Sequence, residues 1–259
     1  MSFNVRGSFH DDGANNWDHR RDLNVSTIKK YLPDIIGFQE AQSGNLATYE
    51  AMLTDYETEP GLLSIRQEQK YHRVPIYWKR DRFELRASGG FYLSETPDEW
   101  SLSWGSTLVR VATWVKLRAV ASEGEFVVLN THFPHEPASD TARIESARLV
   151  VRRLVEIAPA LPSVVMGDFN ALPGSPAYQV LLDAGYTDTF GAAENADPVN
   201  TFHGFEGLGF RGQGIRIDWI LTKDGTQAIT TQSCIVIDDE APPLFPSDHY
   251  PLLANLELA

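Results

Sequence analysis

Apolar positions recur along this chain with two periods. A period of two marks strands, and a period near 3.6 marks amphipathic helices. Residues 163–166 are small or apolar, two of them β-branched, and predict a strand buried on both faces. Gly167 ends that run. Asp168 and Asn170 follow with Phe169 between them, so an acid and an amide leave the strand end on the same side. The next residues, 171–175, are turn chemistry, and Pro176 opens a short helix over 176–183. The same reading predicts strands over 1–5, 34–40, 75–78, 83–85, 109–118, 125–130, 215–221, 229–237 and 252–258. Helices are expected over 23–32, 46–53 and 142–157, the first stopped by Pro33. The last should place Ile144, Ala147, Leu149, Val151, Leu154 and Val155 in a core. Residues 6–22 are polar and read as a loop carrying Trp17 and Arg20-Arg21 at its end. Residues 91–99 also read as loop. Residues 202–214, with five glycines, read as a loop that is either structural or a cleft border.

Strands outnumber helices. Some are adjacent and hairpin-like, and others are separated by helices. That mixture predicts an α/β fold of two packed mixed β-sheets with helices outside, as one domain over 1–259.

Composition narrows the class. The 259 residues are 42% hydrophobic and 22% charged, which describes an ordinary globular chain. No apolar run reaches the roughly 20 residues a membrane span needs, and no leader pattern is visible, so a cytoplasmic monomer without stable membrane association is expected. A single cysteine, Cys234, excludes an internal disulfide framework and a cysteine-cluster zinc site, and reads as a small core hydrophobe. The net charge of −13 argues against gripping nucleic acid by general electrostatics. Cys234 has no obvious histidine companion and no nucleophile-elbow pattern is present, so a Ser or Cys nucleophile has little support.

Polar residues recur at strand ends: Asn4, Glu40, His132, Asp168 with Asn170, Asp218, and Asp248 with His249. Taken singly, each is as readily a cap, a turn or a satisfied surface group. Asp218 is the exception. It lies inside the apolar run Arg216-Ile217-Asp218-Trp219-Ile220, where an unpaired charge is costly, and so requires a partner.

Six motifs in order carry a resemblance: Phe3-Asn4, residues 34–40 ending in Gln39-Glu40, Thr131-His132, Gly167-Asp168-Phe169-Asn170, Arg216-Ile217-Asp218-Trp219-Ile220 and Ser247-Asp248-His249. Together they resemble the endonuclease/exonuclease/phosphatase superfamily over nearly the whole chain. Residues 15–21 and 91–94 are similar to a bacterial branch whose members are mostly uncharacterised. The resemblance implies a four-layered, DNase I-like α/β sandwich and Mg²⁺- or Mn²⁺-dependent hydrolysis of a phosphodiester or phosphomonoester. It implies that Glu40, with Asn4 and Asp248, holds the metal and that Asp168 activates water. Asn170 would donate its amide to a phosphate oxygen or help orient that water. His132 and His249 would stabilise developing charge, with Asp218 orienting His249. Arg110 aligns with a family arginine near the phosphate, and His203 lies in the loop expected to border the cleft, both as substrate contacts. Where members of the branch carry a Glu-Tyr-type pair, this chain has His72-Arg73, which could instead meet a phosphate. The implied substrate is a phosphorylated small molecule or a nucleic acid. A non-catalytic binding protein on the same fold is the competing class.

Overall fold

In chain order the computed structural model, which describes residues 1–66, 70–196, 199–212 and 214–259, forms β1 (Ser2–Asn4), α1 (Trp17–Tyr31), β2 (Ile35–Gln39), α2 (Ser43–Met52), β3 (Tyr56–Glu59), β4 (Ser64–Arg66), β5 (Lys70–His72), β6 (Ile76–Lys79), β7 (Phe83–Tyr92), β8 (Val111–Ala119) and β9 (Glu125–His132). It continues through α3 (Asp140–Ile157), β10 (Ser163–Asp168), α4 (Pro176–Asp183), β11 (Thr187–Asp188), α5 (Thr189–Ala192), β12 (Asp218–Lys223), β13 (Ile229–Val236) and β14 (Leu252–Leu258). Two mixed six-stranded sheets result, in the orders β13-β14-β1-β2-β6-β3 and β11-β12-β10-β9-β8-β7, with β4 and β5 as a separate hairpin.

Alternation along the strands decides the layering. Val164 and Met166 point between the sheets, where they meet Ile76, Trp78, Val128, Ile220 and Cys234. Val165 points the other way, into a core with Leu149, Val150 and Leu154 of α3 and Leu181 of α4. On the opposite flank Phe3, Ile36 and Phe38 pack against Trp17, Val25 and Ile28 of α1 and Tyr49 of α2. Helices, sheet, sheet and helices thus form four layers. Each fully buried large apolar side chain contributes about 1.5–3 kcal/mol. No helix among the described residues is long and apolar enough to cross a membrane.

The register explains where polar groups gather. β1 runs parallel to β2 with Asn4 opposite Gln39, and β9 runs parallel to β10 with His132 opposite Asp168. β12 is antiparallel to β10, so its first residue, Asp218, also pairs with Asp168. Parallel strands finish at the same edge, and an antiparallel neighbour starts there. The polar strand ends of both sheets therefore share one end of the sandwich.

Several predicted boundaries move. Helix α1 begins at Trp17 rather than Leu23, after Asn16 and with Asp18 in its first turn. Its early turns carry few apolar residues because Arg20 fills the buried position. The Arg20 guanidinium, wholly buried, donates to the backbone carbonyls of Val5, Arg6, Asn15 and Pro246. Strand β7 runs to Tyr92 rather than ending at Leu85, because Gly89 and Gly90 continue its pairing with β8. A side chain at Gly89 would strike the Trp114 ring. Val155 is not a core residue: it is 53% exposed, on the outer face of α3. Cys234 is buried between the sheets. Of the glycine-rich stretch 202–214, Gln213 lies outside the described residues.

Candidate active site

Gly167 lets the adjacent strands β9 and β10 run close enough to deliver Asp168. A Cβ at this position would lie 2.2 Å from the Thr131 carbonyl oxygen of β9, so only glycine fits beside that strand. Asp168 is 1% exposed. Its Oδ1 accepts the Asn170 backbone N–H at 2.9 Å, and its Oδ2 accepts from Asn4 Nδ2 at 2.9 Å. The same Oδ2 lies 3.4 Å from His132 Nε2 and 3.8 Å from His249 Nε2. Burial, then the neighbouring Asp218 carboxylate, pushes the Asp168 carboxyl up to about 7.

Asp218 has the partner its apolar surroundings required. Its Oδ2 lies 2.9 Å from His249 Nδ1. Burial opposes the imidazolium, but Asp218, Asp168 and Asp248 outweigh it and raise His249 to about 10. His132 goes the other way. Burial and then the Arg110 charge hold it well below its ordinary value.

Glu40 follows β2 directly, with φ at +61°, a left-handed conformation uncommon for a side-chain-bearing residue. Its Oε1 accepts from Asn4 Nδ2 at 3.3 Å, and its Oε2 faces His10 Nε2 at 3.4 Å. Burial works against its charge, yet His10, His132 and His72 hold its carboxyl well below the usual range. Asp248 lies at the other side of Arg6, whose Nη1 is 3.8 Å from Asp248 Oδ2. Burial raises the Asp248 carboxyl.

These groups line a cleft of about 310 Å³, walled also by His72, Arg110, His135, Asn170 and Phe202. Asn4, Glu40, His132, Asp168, Asp218, Asp248 and His249 are brought together, with Asn4 and Asp218 just behind the wall. The amide of Asn4 acts here as a donor between two carboxylates, while its Oδ1 accepts the Arg6 backbone N–H at 3.1 Å. Asn170 spends one amide N–H on the Phe133 carbonyl, at 3.1 Å. Arg110 lines the cleft, 3.1 Å from His135 Nδ1. His203 does not reach it. The ring stacks on Tyr250 at 4.1 Å and takes the Gly207 backbone N–H, because residues 202–207 turn it inward. Trp17 and Trp104 pack into the helix–sheet cores, and Arg73 donates to the Gly61 carbonyl.

Sequence reasoning missed Arg6, His10 and His135 as cleft neighbours. It also missed a buried amide network beneath the site, in which Gln39 Nε2 donates to Asn130 Oδ1 at 2.7 Å and Asn130 Nδ2 donates to the Phe38 carbonyl at 2.7 Å. The one local signal was Gln39-Glu40 and Asn130 standing at ends of otherwise apolar strands.

The endonuclease/exonuclease/phosphatase family model matches residues 1–249, and the chain belongs to that family. Members of the family are hydrolases acting on phosphoesters. A solved endonuclease/exonuclease/phosphatase from Bacteroides vulgatus is 32% identical, with a TM-score of 0.87 over 100% of this chain and 97% of that one. A mannosyl-6-phosphatase from Bacteroides thetaiotaomicron is 27% identical, with a TM-score of 0.86 over 99% and 98%. Among curated proteins, the probable RNA exonuclease NGL3 of Saccharomyces cerevisiae is 24% identical over 194 residues, 67% of this chain and 36% of that protein. The matched region thus spans about a third of the length of such curated relatives.

Proposed function

We propose that this protein is a divalent-metal-dependent phosphoesterase acting on a small phosphorylated molecule. The reading rests on one observation: a buried Asp168, pushed up to about 7, converges with two histidines and a low-lying Glu40 carboxylate in one cleft. A carboxylate near neutral can take a proton from water at neutral pH, and Asp168 is the base. Asn170 and His132 orient that water and the phosphate oxygens. His249, charged and held by Asp218, stabilises negative charge developing on the phosphoryl oxygens. Arg110 meets a non-reacting phosphate oxygen.

The donor set fits a hard divalent ion. Glu40 and Asp248 are oxygen donors, and Glu40 Oε2 is buried without accepting a hydrogen bond among the described residues. Glu40 and Asp248 would hold Mg²⁺ or Mn²⁺, and Asn4 would tether Glu40 to Asp168. Such an ion, when bound, neutralises phosphate charge and lowers the cost of the leaving oxygen.

Substrate size follows from the cleft and the charge. About 310 Å³ sits at the low end of ligand sites. A net charge of −13 repels a polyanion. The mannosyl-6-phosphatase relative acts on a phosphorylated sugar and points the same way. A short single-stranded RNA or DNA end is the second reading. It is favoured by the RNA exonuclease relative and by Phe202 on the cleft wall, where a base could stack.

Hydrolysis of sugar phosphates, nitrophenyl and bis-nitrophenyl phosphate, RNA and single- and double-stranded DNA, with Mg²⁺, Mn²⁺ or EDTA, tests both. EDTA-sensitive turnover of sugar phosphates supports the first reading. Turnover confined to nucleic acid moves the assignment to the second. No turnover with any metal refutes both.

A further inference from the structure

His10, Glu40 and His72 form a cluster beside the one that holds Asp168. One donor atom from each lies within 4.8 Å of the others. Three donors bonded to one tetrahedral ion at about 2.1 Å stand ~3.4 Å apart, so an inward closure of up to ~1.4 Å completes the site. His72 is buried and lines the cleft, and the His10 side chain is 16% exposed. The two rings meet edge to face, centroids 5.8 Å apart.

Each segment is held in place by the backbone. His72 ends β5, and the adjoining Arg73 pairs with Ala41 in both directions, at 2.9 and 3.2 Å, which sets His72 beside Glu40. His10 follows a loop pinned to the start of α2: Ser8 N–H donates to Asn45 Oδ1 and Phe9 N–H to Gln42 Oε1. Glu40 presents its two oxygens to different neighbours. Oε1 faces Asn4, and Oε2 faces His10 and is buried without accepting a hydrogen bond among the described residues.

Two imidazoles and one carboxylate are not the ligand set of Mg²⁺, which prefers oxygen throughout. Imidazole suits ions of borderline softness. We infer that His10, Glu40 and His72 bind a divalent transition-metal ion of the Mn²⁺, Co²⁺, Ni²⁺ or Zn²⁺ class, through Glu40 Oε2 and one nitrogen from each histidine. The inference deepens the phosphoesterase reading and rests on it for the ion's place in the reaction, since Glu40 is shared with the oxygen-donor site. The competing account is that the histidines serve only as protonated partners of Glu40.

The test is Co²⁺ titration of chelator-treated protein, read by visible d–d absorption and by calorimetry, for wild type, His10→Ala and His72→Ala. The expected result is Co²⁺ bands in wild type and at least tenfold weaker Co²⁺ binding in each variant. Unchanged Co²⁺ affinity and spectrum in both variants, or no Co²⁺ bands in wild type, overturns the site. Histidine ring NMR on Zn²⁺ addition needs no substitution: two shifted histidines support the site, and none overturns it. Mg²⁺-supported hydrolysis of nitrophenyl phosphate is measured in parallel. Its absence counts against the phosphoesterase reading, while the Co²⁺ and NMR results decide this one.

Discussion

The two ends of the cleft use the same residue types in opposite ratio. At one end Asp168 and Asp218 crowd His249, the imidazole whose charge is favoured there, with His132 also 3.4 Å from Asp168. Two buried carboxylates cannot both be neutralised by one cation, so His249 rises to about 10 and Asp168 rises to about 7. At the other end His10, His72 and His132 surround one carboxylate. Burial opposes the Glu40 charge there too, but the three imidazoles prevail and hold it low. Both carboxyls are buried, which raises each, and the number of neighbouring carboxylates and imidazoles then decides that Asp168 stays high and Glu40 falls. The first end is poised to exchange a proton near neutral pH, and the second to hold a fixed negative charge for a cation.

Substitutions at the two ends should separate these roles. Asp168→Asn removes the group poised near 7, and kcat on the best substrate should fall about 10³-fold with little change in KM. Asp218→Asn leaves the geometry but withdraws the charge beside His249. The His249 ring should titrate well below about 10 by NMR, and kcat should fall about 10²-fold. An undisturbed His249 titration would break the account of that end.

His203 offers a buried imidazole whose environment is neither pattern, pushed down to about 4 mainly by burial. Its folded value lies below the unfolded value of about 6.5, so the unfolded chain binds the extra proton between those pH values. Stability from this group is present above about 6.5 and lost as pH falls toward 4, on the order of 3 kcal/mol. Because Asp168 and His132 also shift in that window, the His203 slope should appear as the difference in urea unfolding between wild type and His203→Gln. The smallest effect is expected for Asn4→Ala, which cuts the amide joining the two ends. About tenfold in kcat and ~1 kcal/mol of stability should go. An Asn4→Ala protein as active as wild type would mean that the two ends work independently.

Much of the framework was legible because strand patterning is local. The run 163–166 with Asp168 needs only alternation along one strand to be read, whereas Asn170 lies past the strand end with φ at +47°. Helix α4 and strand β14 fall within their predicted bounds for the same reason. Where a buried position is polar, the pattern misleads. Arg20 hid the first turns of α1, and glycines hid the second half of β7. The inward turn of His203 depends on Gly207 and Tyr250, at least four residues away.

By itself, then, the chain determined which strands end in acids, amides and histidines, because side-chain alternation and turn chemistry act over a few residues. Only the tertiary structure decided that those ends meet, because parallel pairing of β1 with β2 and of β9 with β10 brings them to one edge. It also decided the protonation of each group. Glu40 and His10 are 30 residues apart in sequence and 3.4 Å apart in space, and charge acts through that shorter distance.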